Sequence, residues 1–307
     1  MRRVRYEKNG GPEALFVEEA PAPEPGPGEL VVRCEAIGVT LPVVRKVREG
    51  KEPAPLGGEV AGSVVALGSG VSGFAVGDLV TGLAFTDGYA ELTVLHQAMT
   101  SHVPAGATAV DAVALVRSGL VARGAYQAGR VEPGESVLVT AAASAVGGLA
   151  LQYARNGGAS RVVAAVSDAA KADFVRGLGA DEVVVYGEAS WGEPVDVILD
   201  GVGGELLGPA VRALAPGGRL VAFSSGGGSV DAFELLVRSA SVTGFQMAAI
   251  ARNQPDLYAR WREEQWDLFR TGKLRTSVHE TLPLTEAARA HALIEERTNL
   301  GKVVLVP

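Results

Sequence analysis

Cysteine is almost missing from this chain. Cys34 stands alone among 307 residues, so no internal disulfide forms and no cysteine-rich structural zinc site can be built. Histidine is scarce as well, with 4 residues, and His96 and His102, though close together, have no third ligand near them in sequence. Long apolar runs are lacking: no stretch approaches the roughly 20 residues that span a bilayer. The opening Met1-Arg-Arg-Val-Arg-Tyr-Glu-Lys8 is basic but has no apolar core of the secretory kind, so a cytoplasmic location is expected. Excess positive charge is absent too. A formal net charge of −7 gives nucleic acid no electrostatic footing, and neither a nucleic-acid nor a membrane partner is expected.

What is present is ordinary globular material: 47% hydrophobic and 21% charged residues, in a chain long enough for about two domains, each with its own core. The 40 glycines follow no three-residue period, so they mark turns and not a fibre. Residues 3–120 read as mostly β. Arg3–Lys8 and Ala14–Glu19 flank the hairpin signal Asn9-Gly-Gly-Pro12, and the stiff turn 21–28 leads into Leu30–Ile37. There Leu30, Val32, Cys34 and Ala36 alternate with Arg33 and Glu35, which makes Cys34 a small buried hydrophobe on a strand. The polar segment Arg45–Glu52 carries no strand pattern. Glycine-punctuated strands follow at 56–80 and 88–95, and together they suggest a compact, barrel-like β unit.

Near Asp111 the period changes. Val113–Ala128 reads as a helix, and thereafter strands and helices alternate: strands at 161–166, 182–186, 195–199 and 219–224, helices at 169–178 and 205–214. This is the βαβ rhythm of a doubly wound parallel sheet. Ser241–Gln246 is its candidate edge strand, and Asp256–Arg270 an amphipathic helix whose Trp261 and Trp266 suit packing or an interface. The tail returns to strand character at Val303–Val306.

The stretch Ser136–Arg155 is the organising one. A short apolar strand, Val137–Val139, runs into small residues and then a helix, the arrangement that offers backbone N–H groups to a dinucleotide pyrophosphate. The three glycine positions of the usual fingerprint fall on Ala142, Ser144 and Gly147, so only the last is glycine, and alone the stretch is balanced between a phosphate turn and an ordinary corner.

Taken in order, several segments resemble the medium-chain dehydrogenase/reductase superfamily, and within it the zinc-free NADPH:quinone oxidoreductase branch. They are Asn9-Gly-Gly-Pro-Glu-Ala-Leu15, Leu56-Gly-Gly-Glu-Val-Ala-Gly62, Val76-Gly-Asp-Leu-Val80, Ala141–Gly147, Asp196-Val-Ile-Leu-Asp-Gly-Val-Gly-Gly204 and Gly301-Lys-Val-Val-Leu305. The resemblance implies an α/β chain with a GroES-like, β-rich catalytic domain (1–118 and 276–307) and a Rossmann domain (119–275). Where the metal-dependent branch has a cysteine after Ile-Gly and a His-Glu pair, this chain has Thr40, and Gly58 with Glu59. One carboxylate holds no catalytic zinc, so a metal-free site is expected.

The same alignment gives NADPH as the expected cofactor, with Ser144, Ala145, Val146 and Gly147 on the pyrophosphate side. No acid ends the second strand at Val166 to bind a ribose hydroxyl. Ser167, Lys171 and Tyr186 match the branch's contacts to the 2′-phosphate, while Asp168 is read as the N-cap of the following helix. Gly201 and Val202, and Ser224 and Ser225, fall after strand ends on the nicotinamide side, and Phe245 is read either as a cover for that ring or as a core residue.

Without a metal, hydride transfer suits an acceptor that delocalises its own charge, so a quinone or a conjugated α,β-unsaturated carbonyl is the expected small-molecule substrate. Thr40 is the candidate catalytic residue. It replaces the branch's usual Asn, and the usual acid nearby is replaced within Leu41-Pro-Val-Val44. Lys51 and Tyr89 are further candidates for the pocket, better suited to surface and packing roles. Two other readings stay open: an enoyl-thioester reductase, and a non-catalytic NADPH-binding protein. The edge strand Ser241–Gln246 can pair across a two-fold axis, as in dimers of the resembling enzymes, so the resemblance implies a homodimer.

Overall fold

The computed structural model describes residues 1–223 and 226–307, and its Cα framework divides into two units, Met1–Arg117 with Val278–Pro307, and Ser118–Ser277. Ser224 and Ser225, named above as cofactor residues, lie outside the described residues.

In the first unit β1 (Arg2–Arg5) and β2 (Phe16–Glu19) form an antiparallel pair. β3 (Glu29–Val39) carries the main sheet, with Leu30, Val32 and Cys34 buried and Arg33 and Glu35 exposed, as a half-buried strand requires. β4 (Gly58–Leu67), β5 (Leu79–Ala84), β6 (Leu92–His96) and β7 (Thr100–His102) follow. From the carboxyl-terminal segment come β14 (Val278–Pro283) and β15 (Lys302–Val306), giving the order β14-β15-β3-β4-β5-β7, with β6 also paired to β3. The β3–β4 ladder slips register at Val31/Val32 and Cys34/Ala36. A Cβ on Gly62 would lie 1.9 Å from the Arg33 carbonyl oxygen, so glycine is what lets the sheet curl there into a GroES-like barrel. Val32, Ile37, Val60, Val80, Leu95 and Leu305 meet in its core.

One segment departs from the sequence reading. Leu41–Glu49, which takes in the first part of the segment Arg45–Glu52 noted there only as polar, is a helix (α1) opened by Pro42 in its first turn, with Val44 and Val47 buried. Two apolar residues three apart hold it to the core while its charged residues face out, a pattern too short to stand above the surrounding charge. Tyr89, suited by sequence to packing more than to the pocket, is fully buried.

The second unit is an open sheet. After α2 (Ala109–Ala128), within which the unit boundary falls, come β8 (Ser136–Val139), α3 (Ala145–Asn156), β9 (Arg161–Val166), α4 (Ala172–Gly177), β10 (Glu182–Val185), β11 (Val195–Asp200), α5 (Leu207–Arg212), β12 (Leu214–Ala222), α6 (Ala232–Arg238), β13 (Ser241–Gly244), α7 (Met247–Asn253) and α8 (Pro255–Arg270). The order β10-β9-β8-β11-β12-β13 is parallel throughout and reverses between β8 and β11, which is the Rossmann arrangement. The β10-to-β11 crossover has no helix; Trp191 is buried there against Leu138, Val163 and Ile198 and fills the space. Trp261 and Trp266 of α8 are buried, and the Arg123 guanidinium lies 5.3 Å above the Trp261 ring. In the first unit the remaining helix is α9 (Ala287–Glu295).

Candidate functional site

At the point where the Rossmann order reverses, β8 and β11 end side by side, with Val139 opposite Leu199. Thr140 and Asp200 come next on their strands. The Thr140 hydroxyl donates to Asp200 Oδ1 at 2.7 Å and accepts the Gly201 N–H at 2.8 Å. Asp200, fully buried, also accepts the N–H groups of Val202 at 3.1 Å and Gly203 at 2.9 Å. A buried carboxylate is costly unless its oxygens are filled, and here three donors fill them. The cluster ties the turn after β8 to the loop after β11.

The turn itself is built from alanine. Ala141 adopts φ +50°, the left-handed conformation that glycine normally supplies, and its N–H donates to the Tyr186 hydroxyl at 2.7 Å. Ser144 caps α3, accepting the Gly147 N–H at 3.0 Å, so its own hydroxyl proton is left to donate. Ala145 and Val146 occupy the first helical positions, whose N–H groups have no intrahelical acceptor. A Cβ on Gly147 would come within 2.1 Å of the Ala141 carbonyl oxygen. This is the fingerprint position at which helix and turn meet most closely, and the only one of the three that must be glycine. The turn fits a pyrophosphate group.

The other cofactor candidates are placed as follows. Ser167 is exposed just past β9, and Lys171, half-buried, ends a short 3-10 turn that Asp168 caps by accepting the Ala170 N–H at 2.8 Å. The Asp168 carboxylate is thus turned onto its own backbone. Tyr186 reaches the Ala141 turn and packs on Trp191, ring centroids 6.0 Å apart. Gly201 and Val202 direct their N–H groups into the Thr140–Asp200 cluster, which leaves other atoms of the loop for a ligand. The Phe245 ring lies over Gly124 of α2, where a Cβ would stand 2.1 Å from it.

In the first unit, Thr40 stands between β3 and α1 as the N-cap of α1, at 9% exposure, with its hydroxyl making no capping bond. Gly38 pairs with Glu59 across β3 and β4. Glu59, 3% exposed, accepts a 2.6 Å bond from the Lys302 ammonium, itself 3% exposed, and a 3.1 Å bond from Arg117. Burial pulls Lys302 below the usual lysine range and Arg117 adds to this, while the Glu59 carboxylate opposes both. Tyr89 stays in the core beside His291, Nε2 to Oη 3.2 Å. Burial pushes its phenol upward, with Glu59 adding to the shift, and burial pulls His291 down to about 4. Lys51 is exposed. Among the described residues, no three His, Cys, Asp or Glu side chains are placed to hold a metal ion.

The residues that sequence reasoning passed over are Thr140, Asp200, Arg117 and Lys302. Asp200 and Lys302 sat inside quoted motifs, but only strand pairing brings Thr140 to the first and Glu59 to the second.

Residues 26–114 match the alcohol dehydrogenase GroES-like domain, and residues 178–305 the zinc-binding dehydrogenase domain. A quinone oxidoreductase of Pseudomonas aeruginosa is 33% identical, over 100% of this chain and 99% of its own length. A 2-haloacrylate reductase of Burkholderia sp is 30% identical, over 98% and 97%. The Escherichia coli quinone oxidoreductase solved with NADPH superposes with a TM-score of 0.91 at 28% identity, covering 100% of both chains. The chain belongs to the medium-chain dehydrogenase/reductase superfamily, in the branch of the quinone oxidoreductases. Among the described residues no helix is long and apolar enough to cross a membrane.

Proposed function

We propose that this chain is a zinc-independent, NADPH-dependent oxidoreductase that delivers hydride to a quinone or a conjugated enone. The observation that carries the reading is the turn from Thr140 to Gly147, whose cap, free helix N-terminus and Cβ-less contact form a cradle for a pyrophosphate. When bound there, NADPH supplies the hydride. Ser144, Ala145, Val146 and Gly147 hold the pyrophosphate; Ser167 and Lys171 give a hydrogen bond and a charge to the 2′-phosphate, with Tyr186 positioning the turn beneath. Gly201 and Val202, fixed by Asp200, border the nicotinamide side. Ser224, Ser225 and Phe245 complete the proposed set.

Zinc independence is supported by what stands at the metal-branch positions: Thr40, Gly58 and a Glu59 already paired with an ammonium. The test is steady-state oxidation of NADPH and NADH with 9,10-phenanthrenequinone and with a simple cyclic enone, alongside metal analysis. Preference for NADPH and no stoichiometric zinc are expected. Alcohol oxidation dependent on bound zinc would overturn the reading.

A homodimer is part of the proposal. β13 is the last strand of its sheet, and the neighbouring α6 exposes Phe233 (66%), Leu236 (72%) and Val237 (69%), an apolar patch suited to a second copy. Light scattering at micromolar concentration should give twice the chain mass, and Leu236→Glu should shift it to the monomer; a monomeric wild type would contradict this.

A further inference from the structure

Lys302 is a buried cation with capacity left over. An ammonium carries three N–H donors, and among the described residues only Glu59 Oε2 lies within hydrogen-bond reach. Thr40 is next to it: Val303 pairs with Val39 in the antiparallel β15–β3 ladder, so Lys302 and Thr40 stand at the following register position. The Thr40 hydroxyl has no partner among the described residues and makes no capping bond. The ammonium lies over Gly38, in β3 two residues before Thr40, where a Cβ would come within 2.6 Å of Lys302 Cε and 3.0 Å of both Lys302 Nζ and Glu59 Oε2. Glycine there leaves room for the ammonium to lie over the strand. Arg117 donates to the other carboxylate oxygen of Glu59, so two cations share one anion and the cluster keeps a net positive charge.

A buried ammonium left two-thirds unsatisfied is costly. Its unfilled donors point to an oxygen atom brought by a ligand. We propose that Lys302 and Thr40 form the oxyanion site of this enzyme, with Glu59 and Arg117 as positioning residues. This rests on the functional reading above. The remaining ammonium N–H groups and the Thr40 hydroxyl receive the carbonyl oxygen of a quinone or enone. On hydride transfer a C–H bond forms at the β-carbon, the C=C pair shifts toward the carbonyl, and the negative charge settles on that oxygen. Oxidation of the cofactor to NADP⁺ balances the two electrons, and a proton from solvent completes the reduction. A fixed positive charge in a dry setting thus supplies the stabilisation that a metal provides elsewhere.

An enone holds the developing charge on oxygen less well than a quinone, so the two acceptors separate this role from a structural one. In the full-length protein, Lys302→Met should lower kcat/KM by about 100-fold for a cyclic enone and by no more than about 10-fold for 9,10-phenanthrenequinone, with NADPH affinity unchanged within about two-fold. Lys302→Arg should recover part of the enone activity. Arg117→Met, at a half-exposed residue and so tolerable to the fold even if Lys302→Met is not, should show the same acceptor bias at smaller size. Equal losses for both acceptors would overturn the proposal. So would weaker NADPH binding at unchanged kcat, which would assign the ammonium to a cofactor phosphate. A wild type inactive with both acceptors would overturn the functional reading and this inference together; an active wild type with unbiased variants overturns the inference alone.

Discussion

The two ends of strand proposed to carry the chemistry are built on different principles. After β8 and β11 the site is made of backbone N–H groups, small residues and one carboxylate, Asp200, whose donors are all neutral. At the end of β3 it is made of ions: the buried Lys302 and the half-exposed Arg117 on Glu59. Neutral donors around Asp200 fix a loop geometry. The ion cluster keeps a net charge and an incompletely satisfied donor. The first arrangement suits holding a large polyanion through backbone N–H groups; the second suits acting on charge that appears only during reaction.

If that contrast is right, breaking the first end should unfold or loosen the protein and its cofactor site together. Asp200→Ala strands two N–H groups and the Thr140 hydroxyl in the core and should cost about 3 kcal/mol or more, read as a lower urea midpoint; Asp200→Asn, which keeps an acceptor, should cost less. An Ala variant as stable as wild type would show that the cluster does not tie the two loops. Gly147→Val should weaken NADPH binding by at least about 10-fold in a fluorescence titration, because the new side chain meets the Ala141 carbonyl oxygen.

The buried imidazole of the first unit gives a pH-dependent test. His291 has a native pKa of about 4 against 6.5 unperturbed, so between those values the unfolded chain binds the proton and the native chain does not. Stability therefore falls as pH drops from 6.5 toward 4, by on the order of 3 kcal/mol from this group. Urea unfolding of wild type and His291→Leu at pH 7 and pH 4.5 isolates the contribution: the variant should lose less on acidification. Equal losses would mean that the imidazole is not held neutral.

Smaller effects are expected at Ser144 and Cys34. Ser144→Ala removes the cap of α3 and should cost about 1 kcal/mol, with a modest loss in NADPH affinity. An unchanged affinity would remove the serine proton from the proposed pyrophosphate contacts. Burial pushes the Cys34 thiol up to about 12, so it should react with a disulfide reagent only after denaturation. Prompt reaction in the native protein would contradict its place in the β3 core.

The same contrast explains what the sequence disclosed. Period-two alternation around Cys34 and the βαβ rhythm after Asp111 are local, and the sheets follow from them. The Ser136–Arg155 stretch is contiguous, so its strand, turn and helix were readable even with Ala142 and Ser144 at glycine positions. The ion cluster could not be read, because Gly38, Glu59, Arg117 and Lys302 come together only through the registers of β3 with β4 and β15. Helix α1 was hidden for a different reason: two buried valines in a charged segment leave too faint a period. Ala141 was missed because its left-handed backbone is imposed by surrounding structure, including the Tyr186 bond, and alanine itself gives no sign of it.

The most direct test is NADPH turnover with 9,10-phenanthrenequinone by protein dialysed against EDTA, with zinc determined on the same sample. Full turnover without zinc is the result this account predicts. Turnover lost on dialysis and restored by added zinc would contradict it.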